Sequence, residues 1–228
     1  MQNLKRLALC IALSIAFVSA CGSTRAETLQ GGVGVVDKQF QAGQTYQEPE
    51  QRITGFYVIP PWFAGVFQRD QLERQTIFGK ITSKNKHVVR HGHQTDLRGN
   101  IWHARVEPWL HTTEQPKEFD HYITTQEPIL VTPQKVIMHY RGLLVIERKK
   151  DGKIKRTYQV DETHVFTPSF SVAHVDIENS LMYDERGRFI LKQSPSSYDD
   201  RRIQPYSDLD ADDTFDYKAA FVRFLSRQ

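Results

Sequence analysis

Three turns built to one template constrain this chain more than any other feature. Asp96-Leu97-Arg98-Gly99-Asn100, Lys149-Lys150-Asp151-Gly152-Lys153 and Asp184-Glu185-Arg186-Gly187-Arg188 each place glycine fourth. That spacing suits a three-residue hairpin loop, a type I turn followed by a glycine at positive φ, where a side chain would be strained. The flanking runs alternate with period two. Around the second turn, Val136, Met138, Tyr140, Leu144 and Ile146, then Ile154, Tyr158, Val160 and Phe166, all carry even numbers. Even opposes even when Lys149 faces Lys153, whereas a two-residue loop would set apolar positions against charged ones. Around the third turn, Val175, Ile177, Leu181 and Tyr183 likewise share a parity with Phe189 and Leu191. The expected fold is all-β, an antiparallel meander or barrel-like sheet within a domain spanning residues 52–228.

The period changes at the C-terminus. Phe215, Ala219, Val222 and Leu225 fall on one helical stripe that Phe221 and Phe224 widen, so a helix is expected over 213–227, packed on the sheet. Asp212 or Asp213 can cap its first turn, and Arg223 and Arg227 suit its last. Proline-bearing stretches at 108–117, 126–133 and 193–207 are expected to interrupt the ladder as loops.

The other end of the chain reads as an export signal. Lys5 and Arg6 precede an apolar run from Leu7 to Ala20. That run is about fourteen residues, short of the roughly twenty a helix needs to cross a bilayer core. It closes on Val18-Ser19-Ala20-Cys21, followed by Gly22 and Ser23, which resembles the lipobox of bacterial lipoproteins. The resemblance implies that residues 1–20 are a signal peptide and that Cys21 becomes the acylated first residue of the mature protein. Two or three acyl chains, such as palmitate, at about 0.8 kcal/mol per buried CH₂, make a lasting anchor. Gly22 rather than Asp after the cysteine implies the outer membrane, at its periplasmic face; with a single membrane, the outer leaflet of the cell membrane replaces it. An ordinary secretory signal, cut after Ala20 or near Ala26, is the competing reading. Residues 21–51, rich in Gly, Gln, Ser, Thr and Glu, read as a lipidated N-terminus and flexible tether, with Val33 to Val36 and Phe40 the residues in it able to pack.

Charge and cysteine content exclude several classes. The chain has 30 basic and 27 acidic residues. Loss of Lys5 and Arg6 with the signal leaves a net charge of about +1, which gives nucleic acid no electrostatic footing. Cys10 would leave with the signal and Cys21 would be taken by lipid, so no disulfide and no thiol nucleophile is expected.

The remaining candidates for chemistry are few. The first turn places Asp96 opposite Asn100, and therefore His93 opposite His103 with His91 nearby. Three imidazoles converging from paired strands are the raw material of a zinc site. Polar neighbours Thr95, Arg105 and Glu107 on that face, with Trp102, Ala104 and Val106 on the other, also fit a polar-out strand pair without metal. Asp208-Leu-Asp210-Ala-Asp212-Asp213 opens like a calcium loop but has Asp213 where glycine is needed and Ala219 where glutamate is needed, so it is no EF-hand. No nucleophile elbow, phosphate loop or dinucleotide fingerprint is present, no cofactor is expected, and nothing marks an enzyme. Ala64-Gly65-Val66-Phe67 faintly resembles the Gly-x-Trp that opens lipocalins, and the layout of strands closed by a helix is similar too. Phe67 stands where tryptophan is expected.

Three functions follow as expectations. The favoured one is a structural or assembly accessory docking to another envelope protein or the cell wall, with a filled core and an exposed apolar patch. The second is a lipocalin-like carrier whose lumen is too large for its own side chains to fill. The third, a His-metal hydrolase at His91, His93 and His103, ranks last.

Overall fold

The computed structural model describes residues 34–69, 72–76, 79–83, 87–169 and 172–228; the lipobox and Cys21 lie outside them. Fourteen strands run in chain order: β1 (Arg52–Ile59), β2 (Gly65–Arg69), β3 (Leu72–Thr76), β4 (Gly79–Ser83), β5 (His87–His91), β6 (Gln94–Thr95), β7 (Ile101–Glu107), β8 (Trp109–Glu114), β9 (Glu118–Val131), β10 (Val136–Arg148), β11 (Lys153–Ser169), β12 (Val172–Tyr183), β13 (Phe189–Gln193) and β14 (Ser196–Gln204). One helix, α1, spans Tyr217–Leu225.

The main sheet is antiparallel, ordered β5-β2-β14-β12-β11-β10-β9-β8, with β13 attached to β12. Five of its strands, β8 to β12, form a meander, and the whole curls into a half-barrel. A smaller sheet, β1-β7-β6, lies across one end. Its outer face carries α1, through Phe56, Trp102, Ala104, Tyr217, Phe221 and Phe224. Its inner face joins Ile59 and the 3-10 turn at Pro61–Phe63 to the floor of the half-barrel, where Phe63 packs with Met138, Phe166, Val175 and Tyr198.

The turn template holds at two of its three sites. Asp96 N–H donates to the Asn100 carbonyl at 3.0 Å and Asp184 N–H to the Arg188 carbonyl at 2.9 Å, with Gly99 and Gly187 at φ 82° and 76°. At the second site the three-residue loop is wrong. Arg148, not Lys149, pairs with Lys153, and a bulge between Ile146 and Glu147 restores the even-with-even register over Val136 to Ile146. One extra loop residue is cancelled by one extra strand residue, so the facing of side chains survives.

The proline-bearing stretches are mostly strand. β8 and β14 occupy the first and third, and β9 runs through Pro128. Pro128 is tolerated because it sits at a register shift, beyond Thr124 where the β8 ladder ends. The helix is shorter than expected. Asp216, rather than Asp212 or Asp213, caps it, accepting from Ala219 N–H at 2.7 Å, while Asp212 accepts from Thr214 and Phe215 N–H in the turn before.

From residue 34 the stretch expected as a tether is folded. Val36 and Phe40 are buried on the outer face of the main sheet against Ile123, Leu143, Val145 and Ile154. Thr157 donates its hydroxyl to the Phe40 carbonyl, and Tyr46 stacks on His121 at 3.8 Å between ring centroids. His121 is fixed in turn by the Thr112 hydroxyl at 2.9 Å and the Glu147 carboxylate at 2.7 Å. Two large apolar residues, with backbone bonds such as Gly43 N–H to the Ile154 carbonyl at 2.8 Å, hold a segment whose average composition is polar.

Candidate functional site

The concave face of the half-barrel holds a half-open cavity of about 300 Å³. Its walls come from β2, β5 and β8 to β14. Apolar and aromatic surface is supplied by Trp109, Tyr122, Leu144, Val160, Phe166 and Met182. Gly142 pairs with Thr124 on β9 and Val160 on β11, both of which line the cavity.

Polar groups are set into this surface. Arg69 on β2 grips Asp200 on β14 with two N–H donors, Nε to Oδ1 at 3.0 Å and Nη2 to Oδ2 at 3.3 Å. The guanidinium carbon lies 3.4 Å from the centroid of the Tyr198 ring. Glu162 on β11 accepts from Ser180 Oγ at 2.7 Å and sits 3.1 Å from His164 Nε2. Burial raises the phenols of Tyr140 and Tyr198 above their ordinary range, and the Asp200 and Glu162 carboxylates add to the effect. Among the described residues, three buried atoms of lining residues have no hydrogen-bond partner, His91 Nδ1, Thr124 Oγ1 and Tyr198 Oη, and each is sealed behind the cavity surface.

Five histidines line the seam where the ends of the sheet approach each other. His87 on β5 meets His111 on β8 at 4.2 Å between centroids, and His91, His93 and His103 continue the row toward the small sheet. The three imidazoles expected to converge do so, with His103 5.5 Å from His91 and 4.8 Å from His93. They converge as packed rings. His103 Nδ1 accepts from Gly92 N–H at 3.0 Å, His93 Nδ1 accepts from Ala104 N–H at 3.1 Å, and His93 stacks on Tyr217. Among the described residues no group of three or more His, Cys, Asp or Glu side chains is placed to hold a metal ion. The polar-out reading of this strand pair is also corrected, since His91 and His93 are buried. Burial is the first cause that keeps these imidazoles neutral: His93 is pushed down to about 2, His87 to about 3 and His103 to about 4, and His91 and His111 are lowered as well.

A lumen stands second among the expectations from the sequence, which name none of its polar groups. Glu162 and His164 share the even parity of Val160 and Phe166 and face inward with them. That parity was the available signal. Val66 and Phe67, from the faint Gly-x-Trp likeness, are buried on β2, beside the Arg69 that enters the cavity. The acidic run before α1 is engaged in local bonds: Asp208 with Thr95 and Tyr206, Asp210 with Lys218, Asp212 with Tyr217.

Comparison with family models, curated proteins and solved structures finds no match to this chain.

Proposed function

We propose that this chain is a membrane-anchored binding module that holds a small, largely apolar molecule in the lumen of its half-barrel. The observation that carries the reading is the cavity of about 300 Å³, lined by Trp109, Leu144, Phe166 and Met182 with Arg69, Glu162 and Asp200 set among them. A lumen mostly apolar with a few placed polar groups is the usual anatomy of a small-molecule site. The resemblance of Val18-Ser19-Ala20-Cys21 to a lipobox supports anchoring through Cys21, at the periplasmic face of the outer membrane where two membranes exist. Among the described residues no helix is long and apolar enough to cross a membrane.

Filling the lumen tests the binding reading. The fluorescent probe N-phenyl-1-naphthylamine should bind the full chain, and Leu144→Trp, which adds bulk inside the cavity, should abolish binding with the far-ultraviolet spectrum unchanged. Equal binding by both proteins sinks the reading. Mass analysis of the mature N-terminus tests the anchor separately, with an acylated Cys21 expected.

An accessory that docks to another envelope component is the second reading. Ile129 and Leu130 favour it, because they are exposed on the part of β9 beyond the β8 ladder.

A further inference from the structure

The small sheet ends in an open edge. Its border strand β1 pairs with β7 on one side only. Among the described residues no backbone hydrogen bond outside that ladder reaches β1, so its outward N–H and C=O groups are left to water or to another strand. The helix does not cover this edge. A groove of about 370 Å³ runs between β1 and α1. Consecutive residues, Gln51 to Phe56, line it, and neighbours that face opposite ways border one space where it reaches round the edge of a strand. The other wall is one stripe of α1, Asp216, Ala220, Arg223, Phe224 and Arg227, spaced three and four apart.

The floor of the groove is apolar. Ile53 and Phe56 differ in parity, yet both belong to the cluster that holds Phe215 and Phe224, because a register shift between Ile53 and Gly55 turns the two toward α1.

The rim is cationic. Arg52, Arg223 and Arg227 are exposed along it. Among the described residues no carboxylate pairs with any of these three guanidiniums. Glu107, opposite Arg52 in register, accepts instead from Arg105 Nε at 2.6 Å. Asp216, the acid of the lining, is taken up as the helix cap, accepting from Ala219 N–H.

An occupant that satisfies both features must complete a strand ladder and carry negative charge. A polypeptide does the first, and aspartate or glutamate side chains, which arginine binds with paired N–H donors, do the second. We propose that an extended acidic segment of a partner protein docks between β1 and α1, adding a strand to the small sheet and setting its carboxylates against Arg52, Arg223 and Arg227. The groove shares no lining residue with the lumen, so this surface stands or falls apart from the ligand reading.

The test titrates the full chain into fluorescein-labelled heptapeptides near neutral pH and follows fluorescence polarisation. A peptide of alternating glutamate and valine should bind and should slow hydrogen exchange of the outward amides of β1. A peptide of alternating lysine and valine should bind at least about tenfold more weakly. Proline in place of the central valine, which removes a ladder N–H, should weaken the acidic peptide. Arg223→Glu combined with Arg227→Glu, both at exposed positions, should reverse the order of the two charged peptides, which a loss of fold could not do. If that double variant does not fold, Arg52→Glu makes the same comparison from the strand side. No binding by the acidic peptide, equal binding of both charges, or an order unchanged in these variants overturns the proposal. Equal binding of the proline peptide overturns the added strand. Phosphatidylglycerol vesicles that bind the Cys21→Ser chain through these arginines, with the acidic peptide unbound, would assign the surface to a membrane and overturn it too.

Discussion

His87 and His111 face each other across the seam of the half-barrel with their rings 4.2 Å apart and inclined at 70°. They belong to the two end strands of the main sheet, β5 and β8, which share no ladder among the described residues. Trp109 adds a second edge contact to His87 at 5.8 Å. Side chains, not backbone, therefore bring the sheet's ends together. A double-mutant cycle on His87→Ala and His111→Ala should give a coupling of about 1 kcal/mol in urea unfolding, the usual worth of an aromatic pair in edge contact. Strict additivity would show that the seam is closed by something else.

The buried imidazoles set an acid limit on stability. A histidine whose folded pKa is lowered stays neutral in the native state while the unfolded chain takes up a proton below about pH 6.5. The unfolded state then binds more protons, so stability falls as pH drops below about 6.5 and continues to fall until the folded pKa is reached. For His91 and His93, both buried, the loss is up to about 1.4 kcal/mol per pH unit for each. The urea midpoint should move down between pH 7 and pH 5, and His93→Gln should flatten the slope. A midpoint independent of pH over that range would contradict buried neutral rings.

What could be read from the sequence is what local chemistry dictates. Gly99 and Gly187 announce their turns because only glycine is at ease at positive φ, and the parity of Val136 to Ile146 announces a strand with one buried face. The bulge between Ile146 and Glu147 left no trace, since an inserted strand residue changes register without changing composition. Pro128 misled for the same reason: a proline's cost depends on whether a neighbouring strand needs its N–H, which is a matter of tertiary pairing. The three histidines were brought together correctly by counting back from Asp96 and Asn100, but their burial was set by Tyr217 and Phe63, distant in sequence. The lumen was least legible, because the curl of a sheet sums over many strand pairs.

Phe40 holds the N-terminal segment to the outer face of the sheet. It is 2% exposed and packs with Val36, Leu143 and Ile154. Phe40→Ala should cost about 3–5 kcal/mol, the range for emptying a buried aromatic position, and should make residues 34–51 sensitive to limited proteolysis. Wild-type resistance in the variant would mean that the segment is held by its hydrogen bonds alone.

Gly142 on β10 pairs with Thr124 on β9. A Cβ at this position would sit 2.0 Å from the Ile123 carbonyl oxygen, a backbone atom that cannot swing aside. Gly142→Ala should therefore destabilise the fold by at least about 1–3 kcal/mol, as overpacking does, and should do so through faster exchange of the β9 and β10 amides. Unchanged stability would show that the strands can part at no cost.

Arg69 and Asp200 form a charge pair in the lumen wall between β2 and β14, with side chains 18% and 3% exposed. Removing a single partner leaves the other charge uncompensated in a site of low dielectric, and Asp200 is the more deeply placed. Arg69→Met should thus cost about 3–5 kcal/mol, whereas Arg69→Met combined with Asp200→Leu should recover most of the loss. Urea unfolding of the single and double variants checks this, and a double variant no more stable than Arg69→Met would show that the lost stability does not come from the unpaired Asp200 carboxylate.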